Sequence, residues 1–190
     1  MMEVQDIFAD LTTVETERLR LRKIVPEDVE GIFAYASDPK VARFTSWSPH
    51  TSLKDSQAFL DYVLAQYEDG QIAPWGVEHR GDEKMIGTCG FVSWSVRDAR
   101  AEIGYALSRR YWNRGLGTEA LRAMIDFGFR EMQLNRIQGR CEVENVASAR
   151  VMEKTGMTLE GVLREHEVAD EPGSYLNMKM YSMLRREWNR

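Results

Sequence analysis

Histidine and cysteine are scarce in this 190-residue chain, with three of the first and two of the second. His50, His79 and His166 lie far apart and no two cysteines stand at short spacing, so metal-ligand spacing is absent and no metal is expected. Cys89 and Cys141 each fall in an apolar-alternating segment, which suits buried free thiols better than a bridge and makes a reducing cytoplasm the default setting. No apolar run approaches the roughly 18 residues of a membrane span. The opening MMEVQDIFADL lacks a basic, apolar signal region, so neither membrane attachment nor export is expected. Positive charge is in deficit too: the net charge of -5 argues against a nucleic-acid surface and suits a cationic partner. Low-complexity linkers and internal repeats are missing, which leaves no place for a domain boundary inside the chain.

What is present is an ordinary globular composition, 43% hydrophobic and 29% charged, at a length that buries a substantial core in one domain. Residues 1–15 read as an N-terminal extension and 16–190 as that domain. Thr16 to Ile24 alternates Leu19 and Leu21 with Arg18, Arg20 and Arg22, the period of a half-buried strand. Pro26 suits a first helical turn, with Val29, Ile32, Phe33 and Ala36 at helical spacing until Asp38-Pro39-Lys40 breaks the pattern. A second helix is expected over about Leu53 to Tyr67. Three strand-like runs follow, PWGVEHR, MIGTCGFVSWSV and AEIGYAL, and their short links GDEK and RDAR predict antiparallel hairpins. A helix from Thr118 to about Met132 places Leu121, Ile125, Phe129 and Met132 on one face. RIQGRCEVE reads as a strand, NVASARVMEKTG as a short helix ending at Gly156, and EGVLREHEV and YLNMKMYSML as two final strands. Strands and helices together make the fold class α/β, with the hairpin part of its sheet antiparallel.

The stretch YWNRGLGTEA, Tyr111 to Ala120, sets two glycines and an arginine at the mouth of a helix. A helix N-terminus offers unpaired N–H groups and the positive end of the peptide dipoles, so a phosphate or pyrophosphate suits it. Three readings compete: a plain strand-to-helix turn, a dinucleotide fingerprint and a coenzyme A loop. The letters G-x-G-x-x-A are present, but seven residues, Ser108 to Arg114, part the preceding strand from Gly115, and that strand belongs to an antiparallel meander rather than a βαβ unit. A Walker loop fails because no Gly-Lys-Ser or Gly-Lys-Thr follows.

From RLRLRKIVPEDVEGI through AEIGYALSRRYWNRGLGTEALRAMIDFGF and NRIQGRCEVENVASARVMEKTGM to YSMLRREW, the chain resembles the GNAT superfamily of acetyl-CoA-dependent N-acetyltransferases. The resemblance is strongest to the Rim-type branch, which acetylates the N-termini of ribosomal proteins. It implies an α/β domain with a central, mixed but mostly antiparallel sheet flanked by helices, and transfer of an acetyl group from acetyl-CoA to a primary amine, with a protein N-terminus as the leading acceptor. Alternatives are a small amine such as a polyamine or aminoglycoside, and a non-catalytic acyl-CoA-binding module. A monomer or homodimer is expected. Two departures stand out. Trp112 occupies a position where the pyrophosphate loop often carries Gln or Arg, and Asn177 stands where many relatives carry Asp.

The resemblance also implies site residues. Arg114, Gly115, Leu116, Gly117 and Thr118 would turn their amides, with the Thr118 hydroxyl, toward the pyrophosphate, and Arg109, Arg110 or Arg114 would screen its other phosphates. The strand AEIGYAL would part from RIQGRCEVE to form a V-shaped slot, with Gly104 a natural place for a bulge and Ile103, Gly104 and Tyr105 along the cofactor's path. Glu102 matches a general base, since an amine is mostly protonated at neutral pH. Asn145 and Ser148 match the branch's N-x-x-S, in which the serine partners the leaving thiolate, while by capping logic Asn145 is also a helix N-cap. Tyr105 and Tyr111 are alternative donors. Trp47 and Tyr175 are expected at the acceptor mouth, with Trp75 and Trp94 as further aromatic candidates.

Overall fold

A computed structural model describes residues 3–169 and 173–188. The terminal residues 1–2 and 189–190 of the two expected segments lie outside that range. In chain order the elements are α1 (Val4–Phe8), β1 (Val14–Glu15), β2 (Leu19–Arg22), α2 (Val29–Ala36), α3 (Pro39–Ala42), α4 (Leu53–Glu68) and β3 (Trp75–His79), then β4 (Lys84–Ser95), β5 (Arg100–Leu107), α5 (Leu116–Arg130), β6 (Arg136–Glu142), α6 (Val146–Lys154), β7 (Thr158–Val168) and β8 (Tyr175–Leu184). The strands form one sheet in the order β1-β2-β3-β4-β5-β6-β8-β7. Every neighbouring pair is antiparallel except β5 and β6, which run parallel.

That parallel pair is what shapes the site. β5 and β6 are joined only at Arg100 with Arg136, Ala101 with Ile137 and Glu102 with Gln138. Beyond Glu102, β5 continues to Leu107 and β6 to Glu142 without further rungs between them, so the sheet splays into a V whose apex is the Glu102–Gln138 rung. Side chains alternate along each arm. Ile103, Tyr105 and Leu107 therefore face one side of the sheet, and Glu102, Gly104 and Ala106 the other.

Helices cover both sides. α5 packs on the Ile103 side, with Gly128 so close to Ile137 and Phe91 that a β-carbon there would stand 2.8 and 2.9 Å from them. Its Leu121, Ile125 and Phe129, with Met132 just beyond, are all buried, as their helical spacing predicts. α2 lies on the opposite side, where the buried Tyr35 hydroxyl bonds Thr88. At the centre, fully buried Trp75 meets Phe8, Phe91 and Phe127 edge to face, at ring-centroid distances of 5.7, 6.3 and 5.3 Å.

The N-terminal extension packs on the domain: Phe8 is fully buried, the Trp75 indole donates to the Thr12 carbonyl, and β1 adds a strand to the sheet. One expectation is corrected here. The bulge expected at Gly104 sits on the neighbouring strand. Phe91 pairs with Ile103 and Ser93 with Glu102, leaving Val92 as the extra residue of β4, while Gly104 pairs in register with Gly90. A β-carbon on Gly104 would come within 2.9 Å of Val92, so the glycine accommodates the bulge rather than forming it.

Candidate active site

The loop from β5 to α5 is built to present its backbone. Gly115 is the helix N-cap, in the left-handed region at φ 78°, and no side chain caps this end. The first helical hydrogen bond of the turn runs from Glu119 N–H to the Gly115 carbonyl at 3.0 Å, so the amides of Leu116, Gly117 and Thr118 precede it. Gly117 is helical, and a β-carbon there would stand 3.6 Å from Val151, 3.7 Å from Leu107 and 4.0 Å from Tyr105. Its lack of a side chain thus keeps the space between α5, β5 and α6 open. That opening and the free amides fit a pyrophosphate and the narrow arm attached to it.

The loop is held from behind. The Trp112 indole donates to the Leu107 carbonyl at 2.7 Å, which gives the residue found in place of Gln or Arg an anchoring role. Arg18 Nη1 donates to the Arg114 carbonyl at 2.9 Å, while its Nε and Nη2 reach Glu119 Oε2 at 2.8 and 2.7 Å. Glu119 Oε1 also accepts from the Thr16 hydroxyl and the Arg18 amide. Burial pushes the Glu119 carboxyl up, but these donors outweigh it and hold it below its ordinary value. Arg109 is committed to Asp38, the N-cap of α3, at 2.6 Å. Arg114 lies over the Tyr111 ring at 5.3 Å, and the Tyr111 hydroxyl donates to Asp82.

On the α5 and α6 side of the V, the structure brings Tyr105 and Ser148 together, Oη to Oγ at 3.0 Å. Asn145 caps α6 by accepting from the Ser148 amide at 3.1 Å, so the cap also fixes the backbone of Ser148. Burial pushes the Tyr105 phenol well above its ordinary value, which keeps it protonated and able to donate at neutral pH. Cys141, 4% exposed, stands by Ser148, and burial raises its thiol as well.

On the opposite side lies a polar cleft of about 440 Å³ lined by Ser93, Trp94, Ser95, Arg100, Ala101, Glu102, Gln138 and Arg140. Glu102 is 8% exposed and forms its inner wall. Its carboxylate is not free: Arg140 Nε approaches Oε1 at 3.0 Å and Gln138 Nε2 donates to Oε2 at 3.0 Å. This ion pair lies at the apex of the V.

The acceptor aromatics separate. Trp47 packs against Tyr35 and His50 at 6.3 and 5.8 Å, in the α3–α4 connection on the cleft's side of the sheet. Tyr175 is 55% exposed and lies beyond Met178, the last β8 residue paired with β6, so it sits at the outer end of the β7–β8 hairpin. Trp75 is core. Sequence reasoning missed Arg18, Gln138 and Arg140. Gln138 and Arg140 alternate on one face of β6, a readable pattern, but only the parallel register sets that face beside Glu102. Asn177, found where many relatives carry Asp, accepts from the Glu165 amide at 2.9 Å and closes a bulge in β7.

Comparison with known proteins identifies the family and the fold. The acetyltransferase (GNAT) domain family matches residues 18–158. The uncharacterised N-acetyltransferase p20 of Bacillus licheniformis is 34% identical over 178 residues, which cover 94% of this chain and 99% of p20. The crystal structure of a GNAT-family acetyltransferase from Bacillus anthracis superposes with a TM-score of 0.81 at 28% identity, covering 93% of this chain and all of that one. The structure of RimL, a ribosomal alpha-N-protein acetyltransferase in complex with coenzyme A, shares the fold with a TM-score of 0.78 at 21% identity, over 91% of this chain and 98% of RimL.

Proposed function

The chain belongs to the GNAT acetyltransferase family and is an acetyl-CoA-dependent N-acyltransferase, and on that footing we propose that its acceptor is the N-terminal amine of a ribosomal or other protein. The observation that carries the reading is the two-sided V: Glu102 and a polar cleft on one side, the Tyr105–Ser148 pair on the other, and the strands parted between them. In this reading the cleft of about 440 Å³ holds the first residue of a peptide and leaves the following residues outside. RimL, which shares the fold, is a ribosomal alpha-N-protein acetyltransferase.

Bound acetyl-CoA supplies an activated acetyl thioester. In this reading the amides of Leu116, Gly117 and Thr118 bind the pyrophosphate, with Arg114 and Arg110 beside the loop to screen its charge. The Ile103–Tyr105 edge, released from pairing with β6, lines the arm and offers backbone N–H groups to the acetyl oxygen. Glu102 takes the proton that the acceptor ammonium must lose before nitrogen can attack carbon. As the new C–N bond forms and the C–S bond breaks, Ser148, hydrogen-bonded to the protonated Tyr105, donates toward the leaving sulfur.

Thiol release from acetyl-CoA across N-terminal peptides, polyamines and aminoglycosides tests the acceptor: turnover confined to the small amines overturns the N-terminal reading. Glu102→Gln tests the base. Acetyl-CoA binding is expected to hold while turnover falls about 10²- to 10⁴-fold near neutral pH. The deficit shrinks as pH rises, because more of the acceptor arrives already neutral. Wild-type turnover at every pH removes Glu102 from the mechanism.

A further inference from the structure

Around Glu102 the charges do not balance. Arg140 Nε lies 3.0 Å from Glu102 Oε1 and 2.9 Å from Glu167 Oε1, so one guanidinium nitrogen stands within ion-pair distance of two carboxylates. Arg140 Nη1 also contacts His166 Nε2 at 2.9 Å. Arginine has no acceptor, so that ring nitrogen accepts and the contact adds no cation. Arg100, the other arginine of the cleft, reaches Asp98 at 3.8 Å. Among the described residues, two carboxylates therefore share one cation at the wall of the cleft.

The two carboxylates differ in exposure. The Glu102 side chain is 10% exposed and Glu167 is 38% exposed, with Arg140 between them at 34%. Glu167 reaches Arg140 because β7 bulges between Leu163 and Glu167, and the Asn177 side chain secures the bulge at the Glu165 amide. We propose that Arg140 is an exchangeable latch: the ammonium of the acceptor takes its place at Glu102, and Arg140 shifts its pairing wholly to Glu167 and His166. Arg140 is thus a positioning residue. It neutralises Glu102 in the absence of an amine, and the spare carboxylate keeps its own charge compensated when an amine is present. Two cations at one carboxylate repel, so without Glu167 the exchange leaves Arg140 unpaired at the cleft.

The inference rests on Glu102 being the acceptor end of the site, but its test needs no turnover. In the full chain, n-butylammonium chloride is titrated against the backbone amide NMR signals of Glu102 and Gln138, with n-pentanol as the uncharged control. Glu167→Gln is expected to weaken n-butylammonium binding about three- to tenfold, Arg140→Gln to tighten it by a similar factor, and the double variant to match Arg140→Gln, because Glu167 acts only through Arg140. A purely structural role for the cluster would weaken binding in both single variants. Glu167→Gln equal to wild type, Arg140→Gln weaker than wild type, n-pentanol equal to n-butylammonium, or no shift at Glu102 and Gln138 overturns the latch. Failure of the base reading shows separately, as wild-type acetyl transfer by Glu102→Gln.

Discussion

Gly115 and Gly117 share a motif yet do different work, and a pair of substitutions separates them. Gly115 sits at φ 78°, so Gly115→Ala is expected to cost about 1–2 kcal/mol of stability through backbone strain. Gly117 is helical, and Gly117→Val adds no such strain. It instead projects two methyl groups toward Tyr105, Leu107 and Val151, into the opening that suits the cofactor. Calorimetry should show acetyl-CoA affinity down at least about tenfold, roughly 1.4 kcal/mol, in a protein whose melting temperature holds. Unchanged affinity would return Gly117 to an ordinary helical turn. The letters of the loop were legible in the sequence; which glycine carries the left-handed angle was not. That depends on where α5 begins, and the Thr118 start read from the pattern is two residues later than the observed Leu116.

Whole strands were easier to place than their registers. Alternation located β2 to β8, and the short links predicted the antiparallel hairpins. α1 and α3, of five and four residues, are too short for a periodic pattern to register. Bulges escaped for a different reason: each answers to partners far along the chain. Glu160 is the extra residue of β7 between Leu159 and Gly161, and its carboxylate accepts from both terminal nitrogens of Arg136 at 2.6 and 2.7 Å and from the Ser182 hydroxyl at 2.7 Å. Those bonds, Arg136 first, hold its carboxyl down at about 2. A carboxyl depressed in the fold contributes stability that is fully present above its unfolded value and is lost as pH falls toward the folded one. Glu160→Gln should therefore lower the melting temperature near neutral pH by the equivalent of about 1 kcal/mol, a figure that allows for solvent screening of this part-exposed pair. The gap to wild type should narrow between about pH 5 and about pH 3. A gap that stays constant across that window would mean the pair contributes nothing through its charge.

At the scale of the molecule, the beginning of the chain and the middle of it are tied together at the site. The sequence reads residues 1–15 as an N-terminal extension of the domain. In the fold the same segment buries Phe8 against Trp75, and immediately after it Thr16 and Arg18 clasp Glu119 and the Arg114 carbonyl, about 100 positions away. Such a contact leaves no local trace in either stretch. Its consequence is that the loop amides are positioned before any ligand arrives, which spares binding the cost of ordering them. Two variants distinguish this clasp from general packing. Phe8→Leu trims the core and should cost about 1–3 kcal/mol of stability while leaving the loop untouched. Arg18→Ala removes the donors to Glu119 and to Arg114 and should weaken acetyl-CoA binding about three- to tenfold as well as lowering stability. Melting each variant with and without acetyl-CoA reads the difference directly, since a ligand at about 100 times its Kd adds about 2.7 kcal/mol to the folded state, and a tenfold loss of affinity at the same concentration removes up to about 1.4 of that. The Phe8→Leu curves should shift down together, keeping the wild-type separation, whereas the Arg18→Ala curves should draw closer. Equal separation in both variants would make the Arg18–Glu119 pair a support for the fold with no share in holding the loop for its ligand.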